Sequence, residues 1–134
     1  MGEKVFVDAN IFLEIFLKDS KSEECKDFLK SLKDENKTAF TTDFLSYICI
    51  LVIQNNLKES KFIRDAIIFF SYYEDLVILR PSFDELYSAG EIMDNDKLDF
   101  DDSLVVACMR KYGIKEIASL DKHFDKIKDI KRII

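Results

Sequence analysis

Apolar residues recur along this chain with two alternating rhythms. Residues 5–7 (Val-Phe-Val) are continuously apolar, as a central strand of a parallel sheet is. Directly after them Ile11, Phe12, Ile15 and Phe16 fall at helical spacing, which predicts a helix over 10–18. A second helix is predicted over 20–34, with Ser22 as a cap, Glu23 and Glu24 in its first turn, and Phe28, Leu29 and Leu32 on its inner face. Residues 38–41 carry β-favouring side chains and predict a second strand. The helix predicted over 43–56 is apolar almost all round, so it is expected to be buried on several sides, within the domain or against a second subunit. The next, over 60–73, holds the block Ala66-Ile67-Ile68-Phe69-Phe70, more apolar than a surface helix needs. Homodimerisation through these two helices is the expectation.

The same alternation continues to the end. Residues 76–79 predict a third strand, closed by Arg80-Pro81. A fifth helix follows over 82–93, opened by a capping box of Ser82 and Glu85. Residues 94–99 predict a polar loop. A sixth helix starts at Phe100 or Asp101, runs to Tyr112 and stops at Gly113, the residue type that accepts a left-handed C-terminal cap. Residues 116–120 predict a fourth strand, 121–124 a short helical turn, and 130–134 a last edge strand. Strands that alternate with helices predict an α/β fold: a three-layer α/β/α sandwich with a mostly parallel sheet of four to five strands, as one domain over 1–134.

Composition narrows the class. Three Gly and one Pro argue against a loop-rich or disordered chain. Cys25, Cys49 and Cys108 lie in helical patterns without paired spacing, so they are expected as buried thiols in a reducing compartment. A structural zinc site is not expected, because there is no C-x-x-C and His123 is the only His. The chain enters a strand at once, and its apolar runs are too short to span a bilayer, so a cytoplasmic protein without a membrane partner is expected.

The net charge of −6 is the wrong sign for a simple electrostatic nucleic-acid binder. Its distribution is more telling. Residues 84–102 hold eight acids and one base, whereas 111–134 hold seven bases and four acids. A carboxylate-rich centre beside a basic flank suits metal-assisted attack on a polyanion. Lys122, Lys126, Lys128, Lys131 and Arg132 form that flank and suit a path for RNA or an ordinary solvated C-terminus.

Three acidic positions can meet on one sheet edge. Asp8 follows strand one, Asp101 and Asp102 open the sixth helix, and Asp121 follows strand four. Each alone suits a helix cap or a turn. Together they offer the oxygen ligands that Mg²⁺ or Mn²⁺ takes. A metal held there activates water and stabilises an in-line displacement at a phosphodiester. His123 suits a phosphate contact or, as a lone surface His in a turn more often does, reads as an incidental residue.

Val-Asp-Ala-Asn-Ile-Phe at 7–12, Asp-Asp-Ser-Leu-Val-Val-Ala-Cys at 101–108 and Ile-Ala-Ser-Leu-Asp-Lys-His-Phe at 117–124 resemble the three sequence blocks of PIN domains. These are small metal-dependent ribonucleases that include the VapC-type toxins of toxin–antitoxin pairs. The resemblance covers essentially the whole chain. It implies an α/β/α fold, Mg²⁺ or Mn²⁺, an RNA substrate, frequent dimers and, in the toxin role, an antitoxin partner. It matches Asp8, Asp102 and Asp121 to the family's catalytic and metal-binding acids, and Asn10 and Ser119 to the polar residues that support them. One departure stands out. The family usually carries a Glu in its third helix, and counting from Thr41 or Thr42 lands on Tyr47 or Ile48. Asp43 either caps that helix or reaches the site, and Asp99 or Asp101 are further candidates to compensate.

Two functions therefore stand open: a metal-dependent endoribonuclease, or a weakened PIN fold that binds RNA or protein without catalysis. A third reading, a phosphotransfer domain with Asp8 as nucleophile, wants a Lys at the end of a later strand, where this chain has Asp121.

Overall fold

Five strands make one parallel sheet, and the order of those strands puts the ends of the first and fourth side by side. The computed structural model describes residues 3–134. The strands are β1 (Glu3–Val7), β2 (Lys37–Thr42), β3 (Leu76–Leu79), β4 (Glu116–Ala118) and β5 (Lys131–Arg132), in the order β3-β2-β1-β4-β5. All four pairings are parallel. Six helices connect them: α1 (Ala9–Phe16), α2 (Ser22–Asp34), α3 (Asp43–Leu57), α4 (Ser60–Tyr72), α5 (Phe83–Asp96) and α6 (Phe100–Tyr112). A 3₁₀ turn, Lys122–Lys126, lies between β4 and β5.

The chain steps outward from β1 to β2 and β3, then returns across the sheet to β4 on the other side of β1. With the right-handed crossovers of parallel sheets, that reversal puts the helices of the two directions on opposite faces. Packing follows suit: α1 meets α2 and α3, α3 meets α4, and α5 meets α6. The crevice where the direction reverses lies at the C-terminal ends of β1 and β4, where ligands of open α/β sheets bind.

Burial explains why these segments take these shapes. Val5, Phe6 and Val7 are wholly buried, as a strand covered on both faces requires. Every residue from Ser103 to Met109 is buried, which makes α6 an interior helix. Its ends are tied: Gly113 closes it at φ 68°, and Lys4 Nζ donates to the Tyr112 carbonyl at 2.9 Å. Ser82 and Glu85 form the expected capping box on α5, and buried Glu85 also receives Lys111 of α6, which holds its carboxyl well below the usual range. Phe12 and Phe16 of α1 meet Phe69 and Phe70 of α4 edge to face, with ring centroids 5.1–5.9 Å apart. Such pairs each add about 0.5–1.5 kcal/mol beyond area burial.

Some boundaries differ from those predicted. The fifth helix runs on to Asp96, with no Gly or Pro to stop it, and ends at Lys97 with φ 57°. Lys21, not Ser22, precedes α2, and Ser22 is instead a buried first residue. The cap of α3 is Thr42, whose hydroxyl accepts from Leu45 N at 3.1 Å. β4 ends at Ala118 rather than 120: Ser119 N still donates to the Ile134 carbonyl, but the backbone N–H groups of Leu120 and Asp121 go to side chains. The last strand is confined to Lys131–Arg132.

The aromatic contact of α1 with α4 gives a direct test. Phe12 is 1% exposed and Phe83 is 86% exposed. Phe12→Ala is expected to destabilise by about 3–5 kcal/mol, and Phe83→Ala by less than about 0.5 kcal/mol, in denaturant titrations followed by circular dichroism.

Candidate metal centre

Asp8 occupies the end of β1 and the start of α1 at once. Its Oδ1 accepts from Ala9 N at 2.8 Å, so it does cap the helix. Its Oδ2 is left for a different partner, the Ser119 hydroxyl, which donates at 2.7 Å. The side chain is held on both sides and buried.

Ser119 is the hub that joins the two strand ends. A hydroxyl offers one donor and two acceptor positions. The donor goes to Asp8, and the oxygen accepts from Asp121 N at 3.0 Å and from Asn10 Nδ2 at 3.2 Å. Asn10 Oδ1 in turn accepts from Leu120 N at 3.1 Å. Side chains thus satisfy the backbone donors of Leu120 and Asp121, and β4 ends at Ala118, two residues before Leu120. Asn10 and Ser119, expected as supporting residues, are hydrogen-bonded to each other, to Asp8 and to the backbone that follows β4.

The third element is the first turn of α6. It brings Asp102 toward Asp121 and toward His123 of the 3₁₀ turn. His123 Nδ1 lies 3.1 Å from Asp121 Oδ1 and 3.6 Å from Asp102 Oδ2. One ligand atom from each of these three residues lies within 4.8 Å of the others. Asp121 Oδ1 also accepts from His123 N at 2.9 Å, which fixes the turn on which both residues sit. His123 is the member that sequence reasoning missed. Its spacing of two from Asp121 was the available signal.

Charge repulsion marks the cluster. Burial raises the Asp102 carboxyl to about 6, and the neighbouring charges of Asp101, Asp8 and Asp121 push the same way, while a hydrogen bond with His123 opposes them. Asp8 is raised too, first by burial and further by Asp121 and Asp101, against the bonds from Ser119 and Ala9. Asp8 stands outside the tight group of Asp102, Asp121 and His123, yet its charge is felt within it. Carboxylates crowded in this way favour a cation or a retained proton. The donor set, oxygen-rich with one imidazole, fits a divalent ion.

The remaining candidates lie apart from that group. Asp43 accepts from Phe44 N at 2.7 Å and faces Arg80 at 3.5 Å. Asp99 is exposed at the N-terminal boundary of α6 with no side-chain capping bond. Asp101 is exposed and contributes charge alone. The one carboxylate of α3 is that of Asp43, its first residue, which is paired with Arg80. Tyr47 is exposed, Ile48 is apolar, and the α3 residue that reaches the end of β1 is Cys49, with Sγ 3.9 Å from the Ala9 carbonyl oxygen. Burial, aided by the Asp8 charge, pushes that thiol up to about 12, so it stays protonated in the metal-free protein.

Comparison with known proteins agrees with this architecture. The PIN domain family model matches residues 5–130. Among solved structures, Mycobacterium tuberculosis VapC20, a sarcin–ricin loop cleaving toxin, is similar at a TM-score of 0.79 and 17% identity, over 92% of this chain and 95% of that one. VapBC2 from Rickettsia felis, bound to a DNA fragment from its promoter, gives 0.74 at 15% identity, over 97% of each chain. A toxin–antitoxin complex from Klebsiella pneumoniae gives 0.68 at 15% identity, over 97% and 96%. At these identities the likeness shows the fold. No curated protein matches the chain by sequence.

The repulsion at Asp102 makes stability depend on pH in a definite direction. The folded protein keeps this proton up to about pH 6, whereas an unfolded Asp releases it near pH ~4. Between those values the folded state binds more protons, so stability falls as pH rises through them. In a chelator, Tm is expected to rise as pH is lowered from 7.5 to 5. Asp102→Asn is expected to raise Tm at pH 7.5, by about 1–3 kcal/mol equivalent, and to flatten this dependence. Scanning calorimetry of both proteins checks it.

Proposed function

The chain belongs to the PIN domain family, and from that premise we propose that it is a metal-dependent endoribonuclease acting as the toxin of a toxin–antitoxin pair. One observation carries the reading: the ends of β1 and β4 and the first turn of α6 bring Asp8, Asp121 and Asp102 within electrostatic reach of one another. RNA as the substrate class is supported by the family and by the activity of VapC20.

The chain's own residues divide the work. Asp102 and Asp121 face one another across the cluster and would hold an Mg²⁺ or Mn²⁺ ion. Bound there, such an ion supplies charge to the scissile phosphate and activates a water for attack. Asp8, anchored by Ser119 and Ala9, adds a buried negative charge beside them. Ser119 and Asn10 keep the three elements in register, so the geometry is set before substrate arrives. Of the basic flank, Arg132 is taken up by Asp125 and by the carbonyls of Ser119 and Ile134, and Lys126 by the Lys97 carbonyl. Lys122, Lys128 and Lys131 are exposed and suit phosphate contacts.

An exposed apolar stripe supports the partner assignments. Tyr47 and Leu51 of α3 and Ile67, Ile68 and Tyr72 of α4 are all exposed. A patch of that kind suits a second copy of this chain or an antitoxin protein. None of the described helices is long and apolar enough to cross a membrane.

A second reading, a non-catalytic module for RNA or protein, is favoured by the pairing of the one α3 carboxylate, Asp43, with Arg80. The two separate cleanly by experiment. Purified protein is expected to cleave single-stranded RNA with Mn²⁺, and Asp8→Asn or Asp121→Asn to lose about a hundredfold of that activity. Cleavage that persists undiminished in both variants, or that the wild type never shows, sinks the enzyme reading. For assembly, Leu51→Glu is expected to convert a dimer to a monomer in light scattering while leaving the circular dichroism spectrum intact.

A further inference from the structure

His123 is the member of the cluster with no role in the reading above. It is exposed on one side, and among the described residues its Nδ1 points at Asp121 and Asp102, 3.1 and 3.6 Å from their oxygens. Ligands bound at roughly 2.0–2.2 Å to one divalent ion stand about 3 Å apart when they occupy adjacent corners. The two spacings are close to that arrangement. The turn that carries the imidazole is already fixed by the bond from His123 N to Asp121 Oδ1. At the end of β1, α3 contributes Cys49, whose Sγ lies 3.9 Å from the Ala9 carbonyl oxygen.

We propose that His123 is a direct ligand of the catalytic cation, completing with Asp102 and Asp121 a set of two carboxylates and one imidazole that selects a first-row transition-metal dication such as Mn²⁺ over Mg²⁺. This rests on the cluster being the metal site of the proposed nuclease. Mg²⁺ is a hard ion that prefers carboxylate, carbonyl and water oxygens, whereas imidazole nitrogen suits transition metals. An imidazole also adds a donor without adding a fourth negative charge to a site where carboxylates already repel one another. The result is a site whose selectivity lies in one side chain.

Because His123 is the only His in the chain, its imidazole can be observed alone in untagged protein. Calorimetric titration of the wild type is expected to show Mn²⁺ binding at least about tenfold tighter than Mg²⁺. In His123→Ala, Mn²⁺ affinity is expected to fall about tenfold or more with Mg²⁺ affinity changed far less, and His123→Asp is expected to favour Mg²⁺. Proton NMR of the Co²⁺-loaded wild type is expected to show a hyperfine-shifted exchangeable imidazole N–H signal, which requires direct coordination and vanishes in His123→Ala. If Co²⁺ binds without that signal, or His123→Ala keeps wild-type preference and affinity, the proposal is overturned. Loss of binding in Asp102→Asn but not in His123→Ala leaves the nuclease site standing and removes the histidine from it. A wild type that binds no divalent ion overturns both.

Discussion

The bond from the Ser119 hydroxyl to the Asp8 carboxylate is the contact on which the rest of this site depends. It joins the end of β1 to the end of β4 at the point where the sheet reverses direction. Without it, a buried carboxylate beside other acids would lose its strongest compensating bond. Such a group then protonates or swings toward solvent. With it, the protein holds like charges together, and the energy stored in that repulsion is available to whichever cation enters. Stability and function are therefore opposed at this edge, as they are at sites built for pre-organised charge.

The same bond explains what sequence patterns could and could not show. Strand β1 and the interior helix α6 were legible because burial on both sides, or all round, leaves a continuous apolar run. Asp8, Asp102 and Asp121 were legible because strand ends and helix starts follow from those runs, and the resemblance to PIN domains supplied their order. The end of β4 was not legible. Leu120 looks like a strand residue, yet it leaves the ladder because Asn10, 110 positions away, captures its backbone donor. No local pattern carries a contact of that span. The proximity of His123 to Asp102 was hidden for a related reason: a lone His in a turn is featureless until Asp102 arrives from a distant helix.

An acidic chain proposed to cleave a polyanion needs a physical account. The net charge of −6 repels RNA at long range. Screening weakens that repulsion beyond about 8 Å at physiological ionic strength. At short range the balance depends on the exposed lysines beside the 3₁₀ turn and on the cation itself. Arg132 contributes differently, because its guanidinium holds Asp125 and two carbonyls. It stabilises the loop that presents Asp121 and His123, a structural use of charge that the sequence, read as a basic flank, assigns to substrate.

The position on α3 where the family usually places an acid gives the last step. A fourth carboxylate on α3 would sit against Asp8, whose carboxyl is already raised by burial and by two neighbouring charges. Here α3 meets that strand end with Cys49, a neutral and buried thiol, and the added donor lies on the far side, in the turn after β4. Moving the donor from helix to turn, and from carboxylate to imidazole, lowers the repulsion that the metal-free protein must bear. It also shifts the centre of the donor set away from Asp8 and toward Asp102 and Asp121. On this account Asp8 acts chiefly as a buried, fixed charge that draws a cation inward. On the proposed reading the ion itself would be held by the more accessible residues around it.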